Sequence, residues 1–475
     1  MTTEKPTAPA EASQTVYNMS YVWLISLVAA MGGLLFGYDW VVIGGAKPFF
    51  EKYFYLTASG ELSGWANSCA LLGCLLGSIL SGTLSDRFGR KNLLIVSAFL
   101  FACSSVLTGW APTFPLFVLW RITGGVAIGM ASNLSPMYIA EVAPAAMRGR
   151  LVALNQLTIV IGILAAQVIN MLIAHKVPDH ATDEFIRLSW NGQFAWRWMF
   201  TAVTAPSLVF LFSAIFVPES PRWLVKNGRS DLAKQILAKI GGSDYAAAET
   251  LDIENTIAKE EVQRVRFQDL LEPRMLKILT VGVTLAVLQQ WSGINVIFNY
   301  AEEIYKNAGY NYNDIFINIV LTGAINLLFT FVAIGTVDKI GRRPLMLIGC
   351  LCIGTFHFLL GGAYMLHLSG LFVVGLTLGA IASYGMSLAP VTWVLISEIF
   401  PNRIRGAAIS VAVSALWIAC FILTFTFPIL NKALGPTFSV WTYAVICFAG
   451  FVFVLLRVPE TKGKSLEQIE RELVD

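Results

Sequence analysis

Twelve long apolar runs dominate the sequence and leave few folds open to it. Each has about 18 residues or more, and a helix of that length crosses the roughly 30 Å of hydrocarbon in a bilayer. The backbone of a lipid-embedded segment must satisfy its own hydrogen bonds, so the runs predict membrane-spanning helices. With 56% hydrophobic and only 13% charged residues, the chain has the composition of an all-α, multi-pass membrane protein. The runs lie near 22–46, 62–84, 93–111, 114–140, 151–174, 196–217, 276–305, 314–337, 344–366, 369–397, 406–431 and 437–457.

The reactive residue types give little sign of chemistry on a substrate. All seven cysteines fall in apolar runs without CxxC spacing, and the four histidines are dispersed. This pattern predicts free thiols packed in helices rather than a metal site. Nucleotide-binding and nucleophile motifs do not occur in the sequence. We therefore expect no enzymatic activity, no cofactor, no metal and no nucleic-acid partner.

Basic residues predict how the spans are oriented. The loops after the second, fourth, eighth and tenth runs contain arginine and lysine, whereas the loop at 111–114 has no charge. By the positive-inside rule, both termini and the charged segment in the middle of the chain are cytoplasmic. The predicted organisation is a tail at 1–20, a six-helix half at 21–217, a cytoplasmic helical linker at 218–275, a second six-helix half at 276–458 and a tail at 459–475.

Three short motifs occur twice. The segment 86–90 (DRFGR) recurs at 338–342 (DKIGR). The segment 141–144 (EVAP) recurs at 398–401 (EIFP), and an Arg-Gly pair follows both copies at the same spacing. The end of the sixth run, 218–220 (PES), returns at the end of the twelfth as 459–461 (PET). An offset of about 240 to 260 residues means that six spans are repeated in the same orientation. Parallel halves with a binding site between them are the plan of the major facilitator superfamily.

The most unusual apolar run contains three amide side chains within seven residues, Gln289, Gln290 and Asn295. An unpaired amide in hydrocarbon costs several kcal/mol, and on a straight helix these three point in different directions. They converge only if the helix breaks, and Ser292-Gly293 offers the place. Broken helices of this kind form binding sites in transporters. The alternative is that the amides hold packed helices together.

Six motifs carry a resemblance to a known family. The chain resembles the sugar porters of the major facilitator superfamily, and within them the bacterial proton symporters for D-xylose. The resemblance implies twelve helices in two halves and import of a monosaccharide by proton symport with alternating access. It also implies a monomer in a bacterial inner membrane. The motifs are 32–39 (GGLLFGYD), 86–91 (DRFGRK), Arg121 with Gly124-Gly125, 218–223 (PESPRW), 289–295 (QQWSGIN) and 459–463 (PETKG).

The resemblance also implies a sugar site between the halves. Amides match hydroxyls that both donate and accept, and an indole suits the C–H face of a pyranose. On the residues alone, Trp417 and Phe36 are equally well explained as core, and Asn326 as a bond between helices. The implied sugar ligands are Gln156, Gln289, Gln290, Asn295, Asn326, Trp393, Trp417 and Phe36.

Four positions differ from the pattern of the xylose symporters: Ile163, Leu416, Asn299 and Ala389. The first two replace glutamines, which makes the predicted site less polar, and Ala389 in place of glycine makes it tighter. Hydroxyl discrimination depends on such groups, so D-glucose or another hexose or pentose remains an alternative substrate. Proton-independent uniport and a transporter-like sugar sensor are the alternative functions, and efflux of lipophilic drugs is a further one that the amides disfavour.

Two charges inside apolar runs predict a proton site. Asp39 in the first run and Arg121 in the fourth each cost about 2.5 to 3.5 kcal/mol in a membrane unless they are paired. The first run crosses the membrane outward and the fourth inward, and both residues lie about 10 Å from the outer surface, so we expect them to pair. The resemblance assigns the pair to proton coupling, with Asp39 taking the proton and releasing Arg121. A static ion pair that only fixes helix packing is the alternative.

Charged residues at the cytoplasmic ends of the spans predict a gate. In the resembling family these residues form ion-pair networks that close the inner side of the outward-facing state. The competing explanation is solvated charge in positive-inside loops. The predicted gate residues are Asp86, Arg90, Glu141, Arg148, Glu219, Arg222, Asp338, Arg342, Glu398 and Arg405.

Overall fold

The computed structural model describes residues 17–178, 181–262, 270, 272–368, 370–401, 404–464 and 468–469. Most of the predicted tail at 1–20 and the end of the tail at 459–475 lie outside these ranges. Throughout the described residues the regular structure is helical, in agreement with the predicted all-α class.

The first half consists of helices that begin and end close to the predicted spans. The sixth span is assembled from a turn of π-helix, Asn191–Ala195, and the two helices that follow it. The helices are α1 Met19–Tyr53, α2 Gly60–Phe88, α3 Arg90–Gly109, α4 Phe114–Val142, α5 Arg148–Ile173, α6 Asp183–Leu188, α7 Trp196–Ala202 and α8 Thr204–Phe216.

Two helices follow the sixth span, α9 Pro221–Lys226 and α10 Ser230–Val262. The second is interrupted at Gly241 and Gly242, where the backbone leaves helical geometry, so it consists of two shorter helices. The backbone N–H of Asn18 donates to the Ile240 carbonyl at 2.7 Å. This bond ties the beginning of α1 to the segment between the halves.

The second half repeats the arrangement with two broken spans. The seventh span is divided between α11 and α12, and the tenth is divided between α16 and α17. The helices are α11 Pro273–Trp291, α12 Ile294–Asn299, α13 Ala301–Asn307, α14 Tyr312–Ile340, α15 Arg342–Met365, α16 Leu371–Met386, α17 Leu388–Ile399 and α18 Arg405–Arg457.

The described residues contain eleven helical segments long and apolar enough to cross a membrane. The last, α18, has 53 residues. A continuous helix of that size would be about 80 Å long, more than twice the thickness of the hydrocarbon. At Gly435 the φ angle is 78°, which ends one helix, and Pro436 begins the next. α18 is therefore two spans, and the total is the predicted twelve.

Glycines set the distance between neighbouring spans. A Cβ added at Gly125 of α4 would lie 1.9 Å from the Ala70 carbonyl oxygen of α2, and one at Gly37 of α1 would lie 1.9 Å from the Ile159 carbonyl oxygen of α5. No side chain fits in either place. Small residues allow such close approach of backbones, which is a main source of helix association in lipid.

The two halves contact each other at one end of the bundle. We call the end with the repeated DRFGR and DKIGR loops the basic end, and the opposite end the far end. Towards the far end, a Cβ at Gly64 of α2 would lie 2.3 Å from the Phe425 carbonyl oxygen of α18. Also towards the far end, Gln167 Nε2 of α5 in the first half donates to Thr322 Oγ1 of α14 in the second half at 3.2 Å. The far end is therefore closed between the halves.

Candidate functional site

The seventh span breaks where the sequence predicts. α11 ends at Trp291 and α12 begins at Ile294, with Gly293 between them at φ 85°. A Cβ at Gly293 would also lie 2.8 Å from the Tyr443 side chain, so conformation and space both require glycine. His357 Nε2 lies 2.9 Å from the Ser292 carbonyl oxygen and replaces a helix hydrogen bond at the break.

The break brings the three predicted amides together. Asn295 Nδ2 donates to Gln290 Oε1, and Gln290 Nε2 donates to Gln289 Oε1 at 3.3 Å. Gln289 Nε2 donates in turn to the Ala389 carbonyl at 3.2 Å, beside the break between α16 and α17. All three amides are buried, and each retains donor or acceptor capacity for a hydroxyl group. We call Gln289, Gln290 and Asn295 the amide chain.

Three aromatic rings from both halves meet beside the amide chain. Trp417 lies three residues before Cys420, whose Sγ is 3.6 Å from Asn295 Nδ2. The Trp417 ring is 6.0 Å from Phe36 and 5.9 Å from Trp40, and those two rings are 6.0 Å apart. Trp417 is only 3% exposed, and its Nε1 has no hydrogen-bond partner among the described residues. A buried donor of this kind can be satisfied by a ligand hydroxyl.

Three predicted sugar ligands lie apart from the amide chain, and none of them hydrogen bonds to it within the described part of the chain. Gln156 is half-buried on α5, and Trp393 on α17 is exposed. Asn326 is buried on α14, with its Oδ1 3.1 Å from the position that a Cβ would take at Gly385.

The predicted acid–base pair is formed and buried. Arg121 Nη1 donates to Asp39 Oδ1 at 2.9 Å, and both residues are 4% exposed. The other carboxylate oxygen of Asp39 and Arg121 Nε have no partner among the described residues. The guanidinium also lies 5.2 Å from the centre of the Phe200 ring. Among the described residues, one ion pair and one aromatic ring therefore compensate this charge.

Trp40 lies beside both the ion pair and Trp417, one of the predicted sugar ligands. It follows Asp39 in the chain, packs on Trp417, and lines a small cavity with Asn67, Arg121 and Asn299. The cavity has about 10 Å³ of free space, enough for one water. A movement of the Arg121 side chain can therefore displace the aromatic rings through Trp40.

At the basic end, the first half forms a network of its own. Arg90 donates to both Glu141 oxygens, at 3.0 Å from Nε and 3.1 Å from Nη2, and contacts Asp86 at 3.1 Å. Glu219 accepts from the backbone N–H groups of Arg90 and Lys91 at 2.9 and 3.1 Å, where α3 begins. A carboxylate at a helix N-terminus is favourable because it meets unpaired N–H groups and the positive end of the dipole.

The second half repeats two of these contacts, the arginine–glutamate pair and the glutamate cap. Arg342 Nη2 lies 3.1 Å from Glu398 Oε1, as Arg90 pairs with Glu141. Glu460 accepts from the backbone N–H groups of Arg342 and Arg343, both at 3.1 Å, where α15 begins. The preceding glycines, Gly89 and Gly341, have φ angles of 93° and 105° and allow the chain to reverse between two spans.

The remaining predicted gate residues lie around these networks. Arg148 is exposed and lies near Glu249 of α10. Burial and the neighbouring Asp252 raise the pKa of the Glu249 carboxyl, and Arg148 opposes that rise. Arg405 Nε donates to the Phe400 carbonyl at 3.2 Å, and Arg222 lies in α9. The side chain of Asp338 lies outside the part of the chain that the structure describes.

Sequence reasoning missed several residues of the site. Trp40 adjoins the GGLLFGYD motif, and a bulky aromatic beside a buried acid was the available signal. The sequence gives little indication that Asn67 belongs to the site, because a single amide in an apolar span usually hydrogen bonds to a neighbouring helix. Lys47 was missed because it directly follows the predicted first run, which ends at residue 46, whereas α1 continues to Tyr53.

Comparison with known proteins gives one family. Residues 25–473 match the family model described as "Sugar (and other) transporter". The chain is 38% identical to the D-xylose-proton symporter of Escherichia coli, over 96% of each chain. It is 40% identical to a glucose transport protein of Synechocystis, over 96% of this chain and 98% of the relative.

A solved structure has the same fold. The xylose transporter of Escherichia coli in a partially occluded, inward-open conformation superposes with a TM-score of 0.83 at 37% identity. The match covers 94% of this chain and all of the other.

Proposed function

Because the chain belongs to the sugar porters of the major facilitator superfamily, we propose that it imports a monosaccharide by proton symport, with D-xylose as the first candidate. The sugar occupies the space between the amide chain and the aromatic rings of Phe36, Trp40 and Trp417. Neutral amides suit this ligand since they pair with hydroxyls in either sense and leave no buried charge.

The observation that carries the proposal is the buried pair of Asp39 and Arg121, one side chain away from the sugar residues. Protonation of Asp39 removes the only carboxylate that Arg121 contacts among the described residues, so the guanidinium must find another partner. Trp40 links that rearrangement to Trp417 on the other half. Proton binding and the relative position of the halves are coupled by this contact.

The two ends of the bundle act as alternating gates. We place the basic end in the cytoplasm of a bacterial cell, with both termini on that side, because the positive-inside rule requires it. With the far end closed, the conformation described above is inward-facing. In the outward-facing state the predicted gate residues at the basic end join the halves, and several pairs of about 0 to 1 kcal/mol each bias the equilibrium.

Selection of the substrate depends on which side chains in the site can hydrogen bond to hydroxyl groups. Ile163 and Leu416 are buried and apolar, so the surface that they contribute cannot pair with a hydroxyl. D-glucose is the second candidate, since fewer amides select less strictly among hydroxyl patterns and one of the relatives is a glucose transport protein.

Uptake by proteoliposomes tests the proposal directly. The purified protein is reconstituted, and uptake of labelled D-xylose and of labelled D-glucose is measured with and without an inward proton gradient. Accumulation of either sugar above equilibrium, abolished by a protonophore, supports symport and identifies the substrate. Equilibration that ignores the gradient would instead indicate a uniporter, and uptake of neither sugar would reject D-xylose and D-glucose as substrates.

A further inference from the structure

The first span contains a second buried charge that the proposed coupling does not use. Lys47 is 2% exposed, and its Nζ lies 2.6 Å from Glu303 Oε1, 3.3 Å from Glu51 Oε2 and 3.9 Å from Glu302 Oε2. Lys47 and Glu51 belong to α1 of the first half, whereas Glu302 and Glu303 belong to α13 of the second. We call these four residues the Lys47 cluster. It joins the two halves at the far end.

The face of α1 that carries Lys47 fits closely against the second half. Gly44 lies on the same face, three residues earlier, and a Cβ there would be 2.5 Å from the Phe298 carbonyl oxygen of α12. The Lys47 ammonium also lies 5.3 Å from the centre of the Tyr300 ring, just after α12. The contact therefore involves the half-helix that carries Asn295 of the amide chain.

Glu51 differs from the other two acids because the first half holds it in place. Ser63 Oγ and Asn67 Nδ2 of α2 donate to Glu51 Oε1 at 2.5 and 3.3 Å. Glu51 lies four residues after Lys47 on the same helix, so it stays within reach when the second half moves away. When the far end opens, Lys47 therefore keeps Glu51 as a partner and loses Glu302 and Glu303.

We propose that Lys47 holds the far end closed by binding Glu303 across the halves, and that it retains Glu51 as its partner when the far end opens. This exchange of partners prevents the full cost of a buried, unpaired ammonium in the open state, because removing one partner of a buried ion pair is strongly destabilising. The ion pair then biases the equilibrium between the two conformations instead of blocking it. The role holds for any sugar that the protein carries.

The test measures access to the interior from the far end. The seven native cysteines are first replaced by alanine. A single cysteine is then introduced at Ile43, which is 2% exposed and precedes Lys47 by one helical turn. A membrane-impermeant maleimide is applied from the far-end side of oriented vesicles. In a second chain the cysteine replaces Tyr55, which is 66% exposed, and its labelling confirms the orientation of the vesicles and gives the rate for a fully accessible thiol.

We expect Lys47→Gln to accelerate labelling at position 43 about tenfold, because the closed state loses its cross-half ion pair. Lys176→Gln is the matched control: Lys176 is an exposed lysine just after α5 at the far end and does not belong to the Lys47 cluster, so labelling should stay at the parent rate. Equal acceleration by both variants would indicate a general electrostatic effect and overturn the proposal.

A second variant identifies the partner. Glu303→Gln alone should also accelerate labelling, and Lys47→Gln combined with Glu303→Gln should add little beyond either single change, since the two residues act through one contact. Unchanged labelling in Lys47→Gln, or fully additive effects in the double variant, would refute the Lys47–Glu303 contact as the determinant. The labelling needs neither sugar nor proton gradient, so its outcome is independent of the uptake experiment.

Discussion

Replacing Asp39 by asparagine should separate sugar movement from proton movement. Asparagine has nearly the size of aspartate, so the substitution removes a charge and leaves the packing of α1 intact. Arg121 loses an acid at 2.9 Å in a place where both residues are 4% exposed. Breaking a buried pair costs about 3–5 kcal/mol, and a hydrogen bond to the new amide recovers about 1 kcal/mol.

The effect on transport follows from the driving force. For one proton per sugar, a gradient of one pH unit supplies about 1.4 kcal/mol, which supports about tenfold accumulation. In the Asp39→Asn variant we expect the accumulation ratio to fall to about 1, because no group at this position binds and releases a proton. Exchange of labelled for unlabelled sugar should persist, since the amide chain and the aromatic rings are unchanged.

The assay compares accumulation and exchange in the same proteoliposomes. Asp231→Asn is a matched control, because Asp231 is an exposed aspartate on α10 and should leave both quantities unchanged. Gradient-driven accumulation that survives in Asp39→Asn would refute the assignment of the proton to this carboxylate. Loss of exchange together with accumulation, in protein that still unfolds cooperatively, would show that the pair is required for movement of the halves themselves.

Three further outcomes are expected. Gly293→Ala should lower the free energy of unfolding by about 1–2 kcal/mol in a thermal denaturation experiment, because residue 293 has φ 85° and no room for a Cβ. Trp417→Phe should weaken sugar binding several-fold, about 1 kcal/mol by calorimetry, because it removes an N–H that has no partner among the described residues. Glu219→Gln and Glu460→Gln should each lower the melting temperature by a similar amount, corresponding to about 1 kcal/mol, because each acid receives two backbone N–H groups at a helix start.

The number and type of helices could be predicted because the bilayer imposes a strict rule on length and hydropathy. The one ambiguity, the long helix α18, was resolved by the Gly435-Pro436 pair that ends one span and begins the next. The break at Gly293 could also be predicted, because three amides in hydrocarbon have to meet. The pair of Asp39 and Arg121 could be inferred from matching depths in two spans.

The contacts between the halves were harder to predict. The approach of Gly44 to Phe298 depends on the conformational state, and one sequence encodes at least two states in a transporter of this family. Trp40 was missed because an aromatic residue in a span is usually packing. The repeated motifs predicted charges at the basic end, but not that Glu219 and Glu460 would bind backbone N–H groups rather than arginine side chains.

The caps at the basic end make each half a closed unit. Glu219 comes after the sixth span and is fastened to the start of the third, and Glu460 fastens the end of the twelfth span to the start of the ninth in the same way. A chain segment fastened at both ends cannot slide along its neighbours, so each set of six helices is stiff against shear. Two stiff halves that meet at one interface move most easily by rotation about an axis that lies in that interface. On this reasoning, closing the far end at the Lys47 cluster is mechanically linked to opening the basic end.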